Sequence, residues 1–328
     1  MLTQKTVLVT GATGFLGGHL VARLSQDGVT VKALARRPER IRYIRDLPGV
    51  EVAAGDITDA ARMKEVMHGV DVVFHVAAAM QGDLAAQRRG TVDGTHSVAQ
   101  AAAEAQVERF VHVSTISVYG YRYRHNITEG TPHDPGADPY HVTKSEAEGV
   151  VRSTPNLRYS IIRPGMIYGP RSITWTKTLF NLARQPWLVF VGDGSGAAFP
   201  IYVEDVVDLL VTAAVHPAAE GEAFHCTPDP SPTWREFLSA YAALAGRERV
   251  RWLGIPPALL RPVGWLVGNF APRHAQAKDL PDLIGFLMDY KTYSMAKALT
   301  LLGWQPRVSL AEGVQRCAPY LQEKGLLP

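Results

Sequence analysis

Tyr140 and Lys144 stand four positions apart in Tyr140-His141-Val142-Thr143-Lys144, inside a stretch whose spacing predicts a helix over Pro139–Arg152. Positions i and i+4 share one helix face, so the phenol and the ammonium project toward the same pocket. A free phenol, with a pKa near 10, is a poor base at neutral pH. An ammonium about 4 Å away, at an effective dielectric near 20, stabilises the phenolate by roughly 4 kcal/mol. That equals about three pKa units before desolvation opposes it, and brings Tyr140 toward the range of a working proton donor or acceptor. The chemistry expected of the pair is proton transfer at a substrate oxygen.

A second constellation precedes it. Val7-Leu8-Val9-Thr10-Gly11-Ala12-Thr13-Gly14-Phe15-Leu16-Gly17 reads as a strand that ends at Thr10 and runs through three glycines at spacing three into a helix. Glycines there permit a sharp turn, close approach of the backbone to a pyrophosphate and tight helix–strand packing. The helix N-terminus adds free N–H groups and a positive dipole end. A dinucleotide is therefore expected at Gly11, Thr13, Gly14, Phe15, Leu16 and Gly17. The next strand ends Ala33-Leu34-Ala35-Arg36-Arg37, without the carboxylate that would bind the ribose 2′-hydroxyl of NAD. Arg36, and after it Arg37, would instead receive a 2′-phosphate. NADP(H) is the preferred cofactor on this reading, with NAD(H) left open.

The elements that must position these groups alternate. Strand-like apolar runs occupy Thr6–Thr10, Val29–Ala35, Val50–Ala54, Val70–Val76, Phe110–Ser114 and Tyr159–Arg163, and helical spacing occupies Phe15–Gln26, Ala60–His68, Gly94–Ala105 and Pro139–Arg152. Continuous apolar strands and this β-α rhythm predict an α/β, Rossmann-type doubly wound parallel sheet with helices on both faces. After Arg163-Pro164 the rhythm breaks into a helix near Ile173–Arg184, a strand at Leu188–Val191 and a helix at Val203–His216. Thr233–Glu236 and Ser309–Glu312 fit the capping box. The expected division is a dinucleotide-binding domain over 1–165 and a smaller, discontinuous substrate region over 166–328, some of whose segments return to the first domain.

With these motifs in their order, the sequence resembles the extended short-chain dehydrogenase/reductase family, also called NAD(P)-dependent epimerase/dehydratase, over nearly its whole length. Its nearest branches resemble 3β-hydroxysteroid dehydrogenases and dihydroflavonol reductases. The resemblance implies an adenine contact at Gly55-Asp56-Ile57, through Asp56 and Ile57, and a ribose and nicotinamide lining at His75-Val76-Ala77-Ala78. Val113–Gly120 resembles the loop of the catalytic Ser or Thr, which falls on Thr115, with Ser114 and Ser117 as lesser candidates. Tyr140 and Lys144 match the Tyr-x-x-x-Lys signature, with Lys144 also reaching the cofactor. Ile161-Ile162-Arg163-Pro164-Gly165 and Ile167-Tyr168-Gly169-Pro170 are similar to the passage out of the nucleotide domain, which implies cofactor contacts at Arg163 and Pro164. Where the family often has Asn before Val-x-Gly-Thr, this chain has Thr91. His141 is expected on the surface, facing away from the Tyr140 side.

The substrate region departs from the nucleotide-sugar members. Ala198 stands where they place a diphosphate-binding Arg, and Asp289–Leu301 lacks the second one. Trp175, Trp187, Phe190, Phe199, Trp252, Leu259, Leu260, Trp265 and Phe270 offer apolar material in its place. The function expected is an NADP(H)-preferring oxidoreductase that interconverts a ketone and a secondary alcohol on a largely apolar small molecule, with Thr115, Tyr140 and Lys144 catalytic. One alternative is a nucleotide-sugar epimerase or dehydratase with tightly bound NAD; a second is a non-catalytic cofactor-binding regulator.

Composition bounds the partners. The 328 residues are 46% hydrophobic and 20% charged, with 34 Lys and Arg against 31 Asp and Glu, a net charge of +3. That excludes disorder, and is too mild for a nucleic-acid partner. Two cysteines support no disulfide framework, and the eleven histidines show no metal spacing. With no export leader and no apolar run of the roughly 18 residues a span needs, a cytoplasmic protein without a membrane span is expected. Residues 252–271, interrupted by Pro256, Pro257, Arg261 and Pro262, are expected to cover a pocket or the surface, with shallow membrane contact as an alternative. Resemblance alone implies a homodimer.

Overall fold

Val7, Leu8 and Val9 are all fully buried, as consecutive residues of a parallel strand covered on both faces must be. The computed structural model describes residues 2–41, 43–121, 125–247, 250–256 and 285–327. Its strands are β1 (Thr6–Thr10), β2 (Thr30–Ala35), β3 (Val50–Ala54), β4 (Val72–His75), β5 (Arg109–Val113), β6 (Tyr159–Pro164), β7 (Met166–Tyr168), β8 (Trp187–Val191), β9 (Pro200–Tyr202), β10 (Ala223–Cys226) and β11 (Arg251–Ile255). Seven form one sheet in the order β10-β6-β5-β4-β1-β2-β3, every pair parallel. The strand order turns back on itself beside β1, so a crevice opens beyond the carboxyl ends of β1 and β4. This is the doubly wound Rossmann-type sheet that the alternation predicts.

Helices α1 (Phe15–Gln26), α2 (Ala60–Val66), α3 (Leu84–Gln87), α4 (Gly94–Glu104), α5 (Pro139–Ser153), α6 (Leu179–Ala183), α7 (Val203–Val215) and α8 (Trp234–Leu244) accompany the strands. Alternate residues feed two cores: Val7 and Val9 join the side that holds Leu20, Val21 and Leu210, while Leu8 joins Val98, Phe110 and Ile161 on the other. Helix α7 packs on α1, and β10 closes the sheet next to β6. The C-terminal half thus supplies both a face and an edge of the seven-stranded sheet. Around it lie two parallel pairs, β7 with β9 and β8 with β11. Thr233 and Glu236 make the reciprocal capping box, whereas at Ser309 only the serine side is made, its Oγ accepting from the Glu312 N–H.

One expectation is corrected. The segment read as one helix over Ile173–Arg184 begins as a wide π turn, Ile173–Thr178, before α6. Phe190 and Phe199 are buried core residues. Leu259, Leu260, Trp265, Phe270 and most of 252–271 lie outside the described residues. Among the described residues no helix is long and apolar enough to cross a membrane, and no cluster of three His, Cys, Asp or Glu could hold a metal.

Candidate active site

The glycine turn closes on itself. Gly14 donates its N–H to the Gly11 carbonyl at 2.9 Å, and Gly11 adopts φ +70°. A Cβ on Gly11 would lie 2.8 Å from the Ala77 backbone nitrogen, and one on Gly17 would strike the Gly11 carbonyl. Helix α1 starts at Gly14 with no side-chain cap and no acidic residue in its first turn. Its first N–H groups and its positive dipole end are left to a ligand. Thr10 ties the neighbouring strand to this turn: its hydroxyl accepts from the Val76 and Ala77 N–H groups at 3.2 and 3.3 Å. It also pairs with His75 Nδ1 at 2.9 Å, and His75 Nε2 pairs with the Thr95 hydroxyl at 3.0 Å. Burial, with the Lys144 charge, pushes His75 down to about 3, so the imidazole is neutral. Thr91 accepts from the Ala79 N–H at 2.9 Å and so fastens the segment that follows Ala77 and Ala78.

A cleft of about 1030 Å³ runs along these groups. Arg36, Asp56 and Ile57 line one end, Gly11, Thr13, Gly14, Phe15, Leu16 and Gly17 the middle, and Ala77, Ala78, Thr115, Tyr140, Lys144 and Pro164 the other. Arg36 Nη1 stands 3.9 Å from Asp56 Oδ2, the arginine side chain 77% exposed. A cationic end, a glycine cradle with free helix N–H groups and a polar hydroxyl–ammonium end, in that order, fit an extended dinucleotide.

At the inner end Asp138 caps α5, its carboxylate accepting from the Tyr140 and His141 N–H groups at 2.8 and 3.0 Å. That cap starts the helix one residue before Tyr140 and aims the Tyr140–Lys144 face into the cleft. Lys144 is 2% exposed and donates to the Val113 carbonyl at 2.6 Å. Burial lowers its pKa to about 8, against the raising effect of Glu148. Tyr140 moves the other way from the expectation: burial pushes the phenol up, the Thr115 hydroxyl within hydrogen-bonding reach opposes this, and the Asp138 charge adds to the rise. The burial of the phenol outweighs that hydrogen bond. Thr115 also accepts from the Ser117 N–H at 3.2 Å; Ser114 lines the cleft beside it, whereas Ser117 does not.

Arg163 is corrected. Its side chain leaves the cleft and lies buried against Glu148, donating to both carboxylate oxygens at 2.8 and 2.6 Å, and it also reaches Tyr119 and the Glu129 carbonyl. Only its neighbour Pro164 lines the cleft. His141 is half-buried rather than a surface residue, its ring 5.9 Å from that of Tyr121 and 6.2 Å from that of Tyr140. Tyr43 and Arg171 line the cleft beside the glycine turn without any motif to mark them. The one local trace is Gly18, where a Cβ would strike the Tyr43 hydroxyl. From the second half of the chain the cleft is lined by the apolar Ile167, Ile173 and Trp175 and by the polar Arg171, Ser172 and Thr174, and Met80 lines it from the first half.

The sequence profile of the NAD dependent epimerase/dehydratase family matches residues 7–226. The 3beta-hydroxysteroid-dehydrogenase/decarboxylase isoform 1 of Arabidopsis thaliana is 30% identical, with 96% of this chain and 79% of the relative covered. The UDP-glucose 4-epimerase of Mycolicibacterium smegmatis is also 30% identical, over 97% of this chain and 98% of the relative. Among solved structures, MoeE5 in complex with UDP-glucuronic acid and NAD superimposes with a TM-score of 0.76 at 25% identity, covering 97% of this chain and 99% of that one.

Proposed function

We propose that this chain, which belongs to the NAD dependent epimerase/dehydratase family and so is an NAD(P)-dependent enzyme of the extended short-chain type, is an NADP(H)-preferring oxidoreductase that interconverts a ketone and a secondary alcohol on a largely apolar small molecule. The observation that carries this reading is the composition of the continuous cleft: Thr115, Tyr140 and Lys144 at the inner end, Arg36 at the outer end, and Met80, Ile167, Ile173 and Trp175 as apolar lining.

A nicotinamide held at the inner end of the cleft, beside Thr115, Tyr140 and Lys144, would supply or accept the hydride. In reduction Tyr140 donates its phenolic proton to the substrate oxygen as that oxygen gains charge; in oxidation the phenolate takes the proton back. The Thr115 hydroxyl holds the same oxygen. Lys144, charged below about pH 8, stabilises the phenolate left by proton donation. Arg36 would meet a 2′-phosphate, and the first N–H groups of α1 the diphosphate.

The apolar substrate rests on Ile167, Ile173, Trp175 and Met80, of which Met80 and Ile173 are each 70% exposed at the mouth. Cations for a sugar diphosphate are lacking at the corresponding places. Ala198 is wholly buried, and Lys291 spends its charge on Asp289, at 2.7 Å, and on the Gly120 carbonyl. Similarity to the Arabidopsis relative favours the apolar substrate; similarity to the mycobacterial epimerase favours the second reading, transient oxidation of a nucleotide sugar on tightly held NAD.

The test is a competitive fluorescence titration of NADPH against NADH, followed by a panel of hydrophobic ketones, secondary alcohols and nucleotide sugars. Tighter NADPH binding and ketone turnover are expected. Equal or tighter NADH binding overturns the Arg36 assignment, and conversion of nucleotide sugars without added cofactor overturns the substrate class.

A further inference from the structure

Arg171 follows β7 and thus belongs to the half of the chain expected to hold substrate, yet its guanidinium reaches back across the cleft mouth to the glycine turn. Its central carbon lies 3.3 Å from the centre of the Tyr43 ring. Tyr43, in the segment after β2, is held in turn by the cofactor side: its hydroxyl donates to the carbonyls of Ala12 and Gly14, at 3.2 and 3.0 Å. A Cβ on Gly18 would strike that hydroxyl and lie 2.7 Å from Arg171 Nη2, so the pair sits directly on the first turn of α1. The loop carrying Arg171 is fastened independently, His19 donating from Nε2 to the Pro170 carbonyl at 2.8 Å. The arginine backbone is in the left-handed region, φ +74°, a conformation that a side chain other than glycine adopts only when its surroundings hold it there.

Among the described residues, no carboxylate lies within 4.0 Å of this guanidinium. Stacking on an aromatic face occupies the plane of a guanidinium and leaves the N–H groups on its edge for oxygen acceptors. The guanidinium lines the same cleft as the uncapped α1 N-terminus, which already favours an anion.

We propose that Arg171, held over the Tyr43 ring, is a ligand of the dinucleotide's diphosphate, supplied from the substrate side of the cleft. The assignment rests on the reading of the cleft as a dinucleotide site. Arg171 provides the discrete positive charge that the glycine turn, which binds only through backbone N–H groups, does not. By joining the two sides of the cleft over the bound diphosphate, it couples cofactor retention to the substrate loop.

The experiment compares wild type, Arg171→Ala and Arg171→Lys by fluorescence titration with NADPH and by calorimetric titration with adenosine 2′-phosphate, which carries the adenosine and the 2′-phosphate but no diphosphate bridge. Arg171→Ala is expected to weaken NADPH about tenfold or more while leaving adenosine 2′-phosphate within about twofold, with the lysine variant between alanine and wild type for NADPH. Unchanged NADPH affinity in Arg171→Ala overturns the assignment. So does an equal loss for both ligands, which would mark a structural role. A wild-type protein that binds neither NADPH nor NADH overturns the cofactor reading itself, and is thereby told apart from failure of Arg171 alone.

Discussion

Glu148 and Arg163, both buried, hold one another through two parallel hydrogen bonds of 2.8 and 2.6 Å, one turn beyond Lys144 on the Tyr140–Lys144 face of α5. Glu148 follows Lys144 by one helical turn, so the carboxylate that neutralises Arg163 also supports the lysine's charge.

Replacing Glu148 with Gln leaves the Arg163 charge buried and uncompensated, at a cost of about 3 kcal/mol in urea unfolding at neutral pH. Burial pushes the Glu148 carboxyl up, but the hydrogen bonds and charge of Arg163 outweigh it and hold the pKa below the usual 4.5. A depressed acid contributes its stability above the unfolded-state pKa and loses it as pH falls through the folded one. The gap between wild type and variant should therefore close below pH 4.5. A gap that is constant down to acid unfolding would contradict the ion pair.

Tyr140→Phe removes the proton donor and keeps the ring. Turnover should fall by about 10²–10⁴-fold while NADPH affinity stays within about threefold. Single-turnover hydride transfer together with a cofactor titration separates the two, and turnover near the wild-type rate would remove Tyr140 from the mechanism.

Burial lowers Lys144 to about 8 and raises Tyr140, so both groups are protonated at neutral pH. For carbonyl reduction, kcat/KM should be flat near neutrality and fall as pH rises through about 8, because the ammonium that supports phenolate formation is lost there. In stability the sign is opposite. Between about 8 and the ordinary 10.5 the unfolded chain binds the extra proton, so this lysine's penalty on folding shrinks as pH rises. A rate profile flat to pH 9.5 would contradict the role of the charge.

Ala198→Arg would place a cation at a fully buried position whose N–H already donates to the Pro232 carbonyl at 2.9 Å. Destabilisation of about 3–5 kcal/mol is expected, with no gain of affinity for a uridine diphosphate. Thermal unfolding and calorimetry read the two effects. A stable variant that binds the diphosphate would reopen the nucleotide-sugar reading.

Local pattern was enough for the cofactor half of the fold. The sequence boundaries Thr6–Thr10, Phe15–Gln26 and Val50–Ala54 coincide with β1, α1 and β3, because strand burial and helix periodicity are written in neighbouring residues. The same holds for Tyr140 and Lys144, whose common face follows from helix geometry alone. Tertiary structure decided the rest. No local signal sends β10 to the edge of the seven-stranded sheet, since that pairing joins Ile161 to Ala223 across a long crossover. Arg163 and Pro164 are neighbours, yet one side chain meets Glu148 and the other the cleft, and only the packing of α5 against β6 fixes which. Tyr43 and Arg171 come from opposite halves of the chain and meet through a stack, a contact that exists only after both loops are fastened to α1.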